Sequence, residues 1–191
     1  MLSEDKYFKT LTQDEVWQRY CGFLDLSIDE FMDIQRGLLM DELERVADSI
    51  LGRKIMGNQR PRSVEEFRRV VPLTIYEDYE PYLSERREDA LAEKPYLWCH
   101  SAGRGGYFKW IPHSVVFLEK AAKTVVGSVI LASTTRKGQI NISPGSRFLA
   151  IVPPPPYGSG SLLQFLSQRF SFQAIPPLEE IENPDFQDRM Q

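Results

Sequence analysis

Ile28, Phe31, Ile34, Leu38, Leu39, Leu43, Val46 and Ile50 recur at helical spacing through the longest periodic stretch of the chain. Steps of three and four residues put these side chains on one side of a helix. An apolar stripe of that width needs a partner surface, so the chain is expected to pack a core against it. Ser27 followed by Glu30 marks the start as a capping box, in which the hydroxyl accepts from an orphan amide and the carboxylate reaches back. Gly52 stands where a helix stop is expected. Shorter helices are predicted on either side. Thr12 caps one that carries Val16, Trp17 and Tyr20, and Ser63 with Glu66 caps another that carries Phe67 and Val70. Pro72 ends the latter, since it has no amide to donate and disfavours helix at the residue before it. Residues 1–60 are therefore expected to form a helical cap.

Beyond residue 60 the pattern changes. The segment Val71 to Leu83 is dense in aromatic and acidic residues, and a helix is expected around residues 84–92. Tyr96 to Cys99 and Phe108 to Ile111 are predicted strands on either side of a glycine-rich turn, which makes them a hairpin or a bent pair. Ser114 opens a helix with Val116, Phe117, Ala121 and Val125. Arg147 to Val152 is a predicted buried strand, and Pro153 to Pro156 should fix an extended segment after it. A helix from Ser159 to Phe170, a strand from Ser171 to Ile175 and a last helix from Pro184 to Met190 complete the prediction. Alternating helices and strands over residues 61–191 predict an α/β architecture.

Charge and cysteine content narrow the function. Lys and Arg total 23 against 27 Asp and Glu, a formal net charge of −4. That argues against nucleic acid or an anionic membrane as partner, since either calls for a basic face. Cys21 and Cys99 make no disulfide framework and no metal-ligand spacing, so no metal ligand is named and a reduced, cytoplasmic setting is expected. The opening MLSEDKYFKT has no apolar core of a signal peptide. The longest apolar stretch, Thr124 to Ala132, is too short to span a bilayer.

The most informative residues run from His100 to Pro112, with Ser101, Gly103, Arg104, Gly105, Gly106 and Lys109 at their centre. Three glycines in four residues permit tight turns and close backbone approach. Successive amides in such a turn form a concavity that binds anions, and a nearby lysine adds a mobile positive charge. The segment is thus a candidate phosphate loop, beside the alternative of a plain turn between strands. It is neither of two familiar nucleotide motifs: Lys109 lacks the preceding Gly and following Ser/Thr of one, and Phe108 replaces the last Gly of the other.

The spacing Ser101-x-Gly103-x-x-Gly106-x-x-Lys109 resembles the phosphate loop of acyl-adenylate-forming enzymes. Its surroundings are more specifically similar to the auxin-responsive-promoter family of acyl-acid amido synthetases and their bacterial relatives. These surroundings are Val71-Pro72 with Tyr76-Glu77-Asp78-Tyr79-Glu80-Pro81-Tyr82 ahead of the loop, and Lys109-Trp110-Ile111-Pro112 after it. The resemblance implies a helical N-terminal cap followed by the first part of an adenylate-forming large domain. It implies ATP and Mg²⁺ as cofactors and a carboxylic acid as substrate, activated as acyl-AMP and passed to an amine or thiol. Gly103, Gly105 and Gly106 would offer backbone contacts to phosphates, Ser101 a hydroxyl, and Arg104 and Lys109 charge. Ala102, Arg104 and Gly105 stand where the family carries hydroxyls, which lowers the number of side-chain donors. Such enzymes need a substantially longer chain, so an N-terminal fragment, inactive alone, is expected. The alternatives are one subunit of a split ligase and a non-catalytic remnant or interaction module. A severed sheet would expose apolar surface and favour a protein partner or self-association.

Other residues have plainer expectations. His100 and His113 flank the loop without a carboxylate or nucleophile placed to complete a site. Glu77 and Asp78 are expected to cap the following helix, with Tyr76 and Tyr79 packing and their hydroxyls exposed. Cys99 is expected to be a buried, inert thiol.

Overall fold

The computed structural model describes residues 2–101 and 108–181. Helices combine with two small two-stranded sheets, consistent with the α/β prediction, and the chain divides into two compact units, Met1–Leu24 with Val115–Gln191, and Asp25–Ser114. The helix expected at Pro184 to Met190 lies outside the described residues.

In the discontinuous unit, α1 (Asp5–Thr10) and α2 (Gln13–Cys21) precede α6 (Val115–Ser133), β3 (Ser146–Leu149), α7 (Gly158–Ser167), β4 (Phe172–Ile175) and α8 (Leu178–Ile181). Thr12 caps α2 as predicted, its hydroxyl accepting from the Glu15 amide while the Glu15 carboxylate takes the Thr12 N–H at 2.8 Å. Leu118, Ala122, Val126 and Ile130 come every four residues along α6 and are buried, and the helix packs against α2 and α7. Burying each of Leu118, Val126 and Ile130 contributes about 1.5–3 kcal/mol. Gly127 lets the backbones of α2 and α6 meet, for a Cβ there would stand 2.7 Å from the Tyr20 carbonyl oxygen. The strands β3 and β4 run parallel in register from Ser146–Phe172 to Leu149–Ile175, with α7 in the crossover between them. Asp5, 4% exposed, accepts from the amide and hydroxyl of Ser171 at 2.8 and 2.6 Å and so ties α1 to the start of β4. The four prolines do not stay extended: the Tyr157 N–H donates to the Pro154 carbonyl at 3.1 Å, closing a turn that leads into α7. Gly160 is the reason the turn fits, since a Cβ there would lie 2.3 Å from the Pro153 carbonyl oxygen.

The continuous unit holds α3 (Ile28–Val46), α4 (Ile50–Met56), α5 (Val64–Val70) and a hairpin of β1 (Leu97–His100) and β2 (Trp110–His113). Ser27 and Glu30 form the predicted capping box. At α5, Ser63 accepts from the Glu66 amide, but the Glu66 carboxylate takes the Arg62 N–H instead of closing the box. The long stripe is core only over its second half. Leu43, Ala47 and Met56 are buried and pack with Leu39, Val46 and Phe67, whereas Ile28, Phe31, Ile34 and Leu38 are exposed. Periodicity identifies a shared helix face, and what covers that face is decided by distant residues.

Gly52 is not the stop. The helix breaks after Val46, Ser49 caps a new one by accepting from the Gly52 amide, and Gly52 lies inside α4. A Cβ on Gly52 would fall 1.9 Å from the Val46 carbonyl oxygen, so its bareness serves close approach; Gly57, at φ +61°, ends α4. The helix expected over residues 84–92 is replaced by turns and a short 3-10 helix at Glu88–Ala90.

Gly37 in α3 and Gly52 in α4 separate these effects. Gly37 has open space around its would-be Cβ. Urea unfolding of Gly37→Ala should show a gain of about 0.5–1 kcal/mol from helix propensity. Gly52→Ala should lose about 2 kcal/mol or more, because backbone must move.

Candidate functional site

The hairpin places the ends of the candidate loop. Leu97 pairs with His113, Cys99 with Ile111 and His100 with Trp110 in an antiparallel ladder. At the mouth, the Ser101 N–H donates to the Lys109 carbonyl at 2.9 Å, and the Lys109 N–H donates to the Ser101 hydroxyl oxygen at 3.1 Å. Ser101 and Lys109, ends of the predicted phosphate motif, are therefore brought together. The Ser101 hydroxyl acts as acceptor in this bond and keeps its own proton for another partner. Gly103, Arg104, Gly105 and Gly106 lie outside the described residues.

In an antiparallel ladder, residues that bond to the partner strand alternate with residues whose N–H and C=O face the other way. Lys109 bonds to Ser101, so Trp110 and Pro112 face the outer edge of β2. Pro112 has no N–H to satisfy there. Trp110 has both groups, and one side chain takes both: the Tyr76 hydroxyl accepts from the Trp110 N–H at 3.0 Å and donates to its carbonyl at 3.3 Å. Burial holds the Tyr76 phenol above the ordinary tyrosine range, which keeps it protonated and able to donate. The Lys109 ammonium stands 5.2 Å from the centre of the same ring, within cation–π range.

Tyr76 opens a 3-10 helix, Tyr76–Tyr79, whose first free amide, that of Ile75, donates to the Asp78 carboxylate at 2.8 Å. Tyr79 and Thr74 share a hydroxyl contact of 2.6 Å. The expectation for this cluster is thus corrected: Asp78 caps its own turn, and both tyrosine hydroxyls are engaged. Sequence reasoning missed Tyr76 as a site residue because its partner is 34 positions away. The dense Tyr-Glu-Asp-Tyr run was the available signal.

Trp110 is also held by its ring. His100 lies 3.9 Å away between centroids and stacks on Phe108 at 5.2 Å, and the Arg86 guanidinium sits 4.6 Å from the indole centre. Arg86 has φ +53°, a left-handed conformation that costs an L-residue about 1 kcal/mol. The Cys99 thiol, 1% exposed, faces the other histidine, with Sγ 3.5 Å from His113 Nδ1. Burial lowers the His113 pKa below its ordinary 6.5, favouring a neutral ring to which a thiol can donate. Among the described residues, no group of three or more His, Cys, Asp or Glu is arranged to hold a metal ion, and no helix is long and apolar enough to cross a membrane.

The His113 environment has a defined pH signature. A histidine whose folded pKa is lowered gives up stability when it must charge. Its contribution is complete above 6.5 and declines as pH falls through the interval between that value and the lower folded one. Urea midpoints measured from about pH 7.5 down to about pH 5 should fall, and His113→Gln should flatten part of that slope. An unchanged slope in the variant would remove His113 as its source.

Comparison with known proteins gives the arrangement its context. A model described as the GH3 family N-terminal domain matches residues 22–147, well over half of the chain and inclusive of the Tyr76 turn, the hairpin and the loop. No curated protein and no solved structure matches the chain. The resemblance noted from Tyr76-Glu77-Asp78-Tyr79 and the Ser101–Lys109 spacing agrees with the match: the chain belongs to the GH3 family, the auxin-responsive acyl-acid amido synthetases.

Proposed function

We propose that this chain carries the nucleotide-phosphate site of an ATP-dependent acyl-adenylate-forming ligase, at the mouth of the β1–β2 hairpin. Enzymes of the GH3 family use ATP. The observation that carries the proposal for this chain is the pairing of Ser101 with Lys109 across that mouth. It anchors both ends of a glycine-rich segment whose amides would face phosphate.

In the proposed reaction a carboxylate oxygen attacks the α-phosphorus of ATP and the bond to pyrophosphate breaks, giving acyl-AMP. An amine or thiol then takes the acyl group and releases AMP. Negative charge builds on the phosphate oxygens, and fixed donors aimed there lower the barrier. The Ser101 hydroxyl would donate to one such oxygen, Lys109 would supply positive charge, and Gly103, Arg104, Gly105 and Gly106 would contribute amides and a guanidinium. Mg²⁺ commonly binds through nucleotide phosphates with few protein ligands. The acid and the acceptor would be bound by other parts of an adenylate-forming large domain, so turnover by this chain alone is not expected. A non-catalytic interaction module is the second reading, favoured by Ala102, Arg104 and Gly105 in place of hydroxyl side chains.

Calorimetric titration of Mg·ATP into the folded chain should show saturable binding. Lys109→Ala should weaken it about tenfold, as expected for loss of one charge-assisted contact. No heat from a folded sample would overturn the nucleotide site and leave the interaction module. Carboxylate-dependent pyrophosphate exchange by the chain alone would show that it needs no further domain.

A further inference from the structure

We infer that Tyr76 is the positioning residue of this site, fixing through the Trp110 peptide where Lys109 stands at the mouth of the hairpin. The inference rests on the nucleotide-phosphate reading of that mouth. A two-stranded ladder is marginal in water, and its outer edge exposes backbone donors and acceptors that can drift. Here the outward-facing N–H and C=O of Trp110 are both engaged by one phenol, at 3.0 and 3.3 Å. Tyr76 therefore serves as a one-residue third strand at the position immediately after Lys109.

Of the two bonds to Tyr76, the one from the Trp110 N–H holds the 109–110 peptide and the one to the Trp110 carbonyl holds the next, so the phenol pins two successive peptide groups. The peptide bond between Lys109 and Trp110 carries the Trp110 N–H, and its carbonyl is the one that accepts from Ser101. The same planar group is thus gripped on one side by β1 and on the other by Tyr76. The side chain of Lys109 is then steered by the ring of the same tyrosine, 5.2 Å from its ammonium. Hydroxyl and ring act on neighbouring residues, so Tyr76 would set both the exit direction of the strand and the resting place of its cation. Arg86 and His100 hold the Trp110 indole and leave its peptide groups to Tyr76.

The test is a double-mutant cycle in the full chain. Mg·ATP affinity is measured by calorimetry for wild type, Tyr76→Phe, Lys109→Ala and the double variant, and Trp110 amide exchange is followed by NMR. Tyr76→Phe removes only the hydroxyl and keeps the ring. It should speed Trp110 exchange and weaken Mg·ATP binding about tenfold. In the Lys109→Ala background the same change should cost less than about twofold, because a residue acting through Lys109 has nothing left to position. Equal losses in both backgrounds would overturn the inference, leaving Tyr76 a general support of the fold. Unchanged Trp110 exchange would overturn it at its structural root. If wild type itself gives no heat, the nucleotide reading falls and this inference falls with it. Binding by wild type without coupling removes this inference alone.

Discussion

A hairpin of four residues per strand has too few ladder bonds and too little buried area to hold its own shape, so whatever engages its open edge decides its geometry. In this protein that engagement comes from a phenol. The Tyr76 hydroxyl satisfies the outward-facing groups of Trp110, while Pro112, the next outward-facing residue, has no N–H to satisfy. The outer edge of β2 is thus engaged at Trp110 without a third strand. The 3-10 turn that carries Tyr76 is itself fixed by Asp78 on the Ile75 amide, and Tyr79 is tied to Thr74. A short run of aromatic and acidic residues thus becomes a bracket for the loop that follows it in the chain.

Close backbone approach organises the rest. Gly127 admits the Tyr20 carbonyl, Gly160 admits the proline turn, and Gly52 admits the end of α3. In each case a missing Cβ lets two main chains come nearer than side chains allow, and the neighbouring aliphatic and aromatic residues fill in around the contact. The aromatic chain Tyr20, Phe8, Phe170, Phe148 and Phe172 does this in the discontinuous unit, with successive ring centroids 5.1 to 6.4 Å apart. Such offset contacts contribute beyond simple area burial.

What could be read in advance depended on the range of the interaction. The caps at Thr12 and Ser27 were legible because donor and acceptor lie three residues apart. The hairpin was legible from two apolar runs around a glycine cluster. Gly52 was misassigned because its reason is a carbonyl brought near by a helix break, which no local pattern announces. The α3 stripe was half misassigned because spacing cannot say what lies opposite Ile28 or Phe31. In the site, motif spacing put Ser101 and Lys109 in one loop without pairing them, and the bridge from Tyr76 to Trp110 spans 34 residues and depends on a turn geometry that composition does not encode.

The division of the chain also bears on how it is made. Residues 25–114 form one unit, whereas α1 and α2 belong with elements that begin at Val115. During synthesis from the N-terminus, Val16, Trp17, Tyr20 and Cys21 emerge well before α6, the helix that covers them. The intervening unit is continuous in sequence, so its elements leave the ribosome one after another. The first two helices must wait, with their apolar face uncovered, until a segment ninety residues later arrives. The discontinuous unit therefore cannot be completed before the residues from Val115 onward have been made.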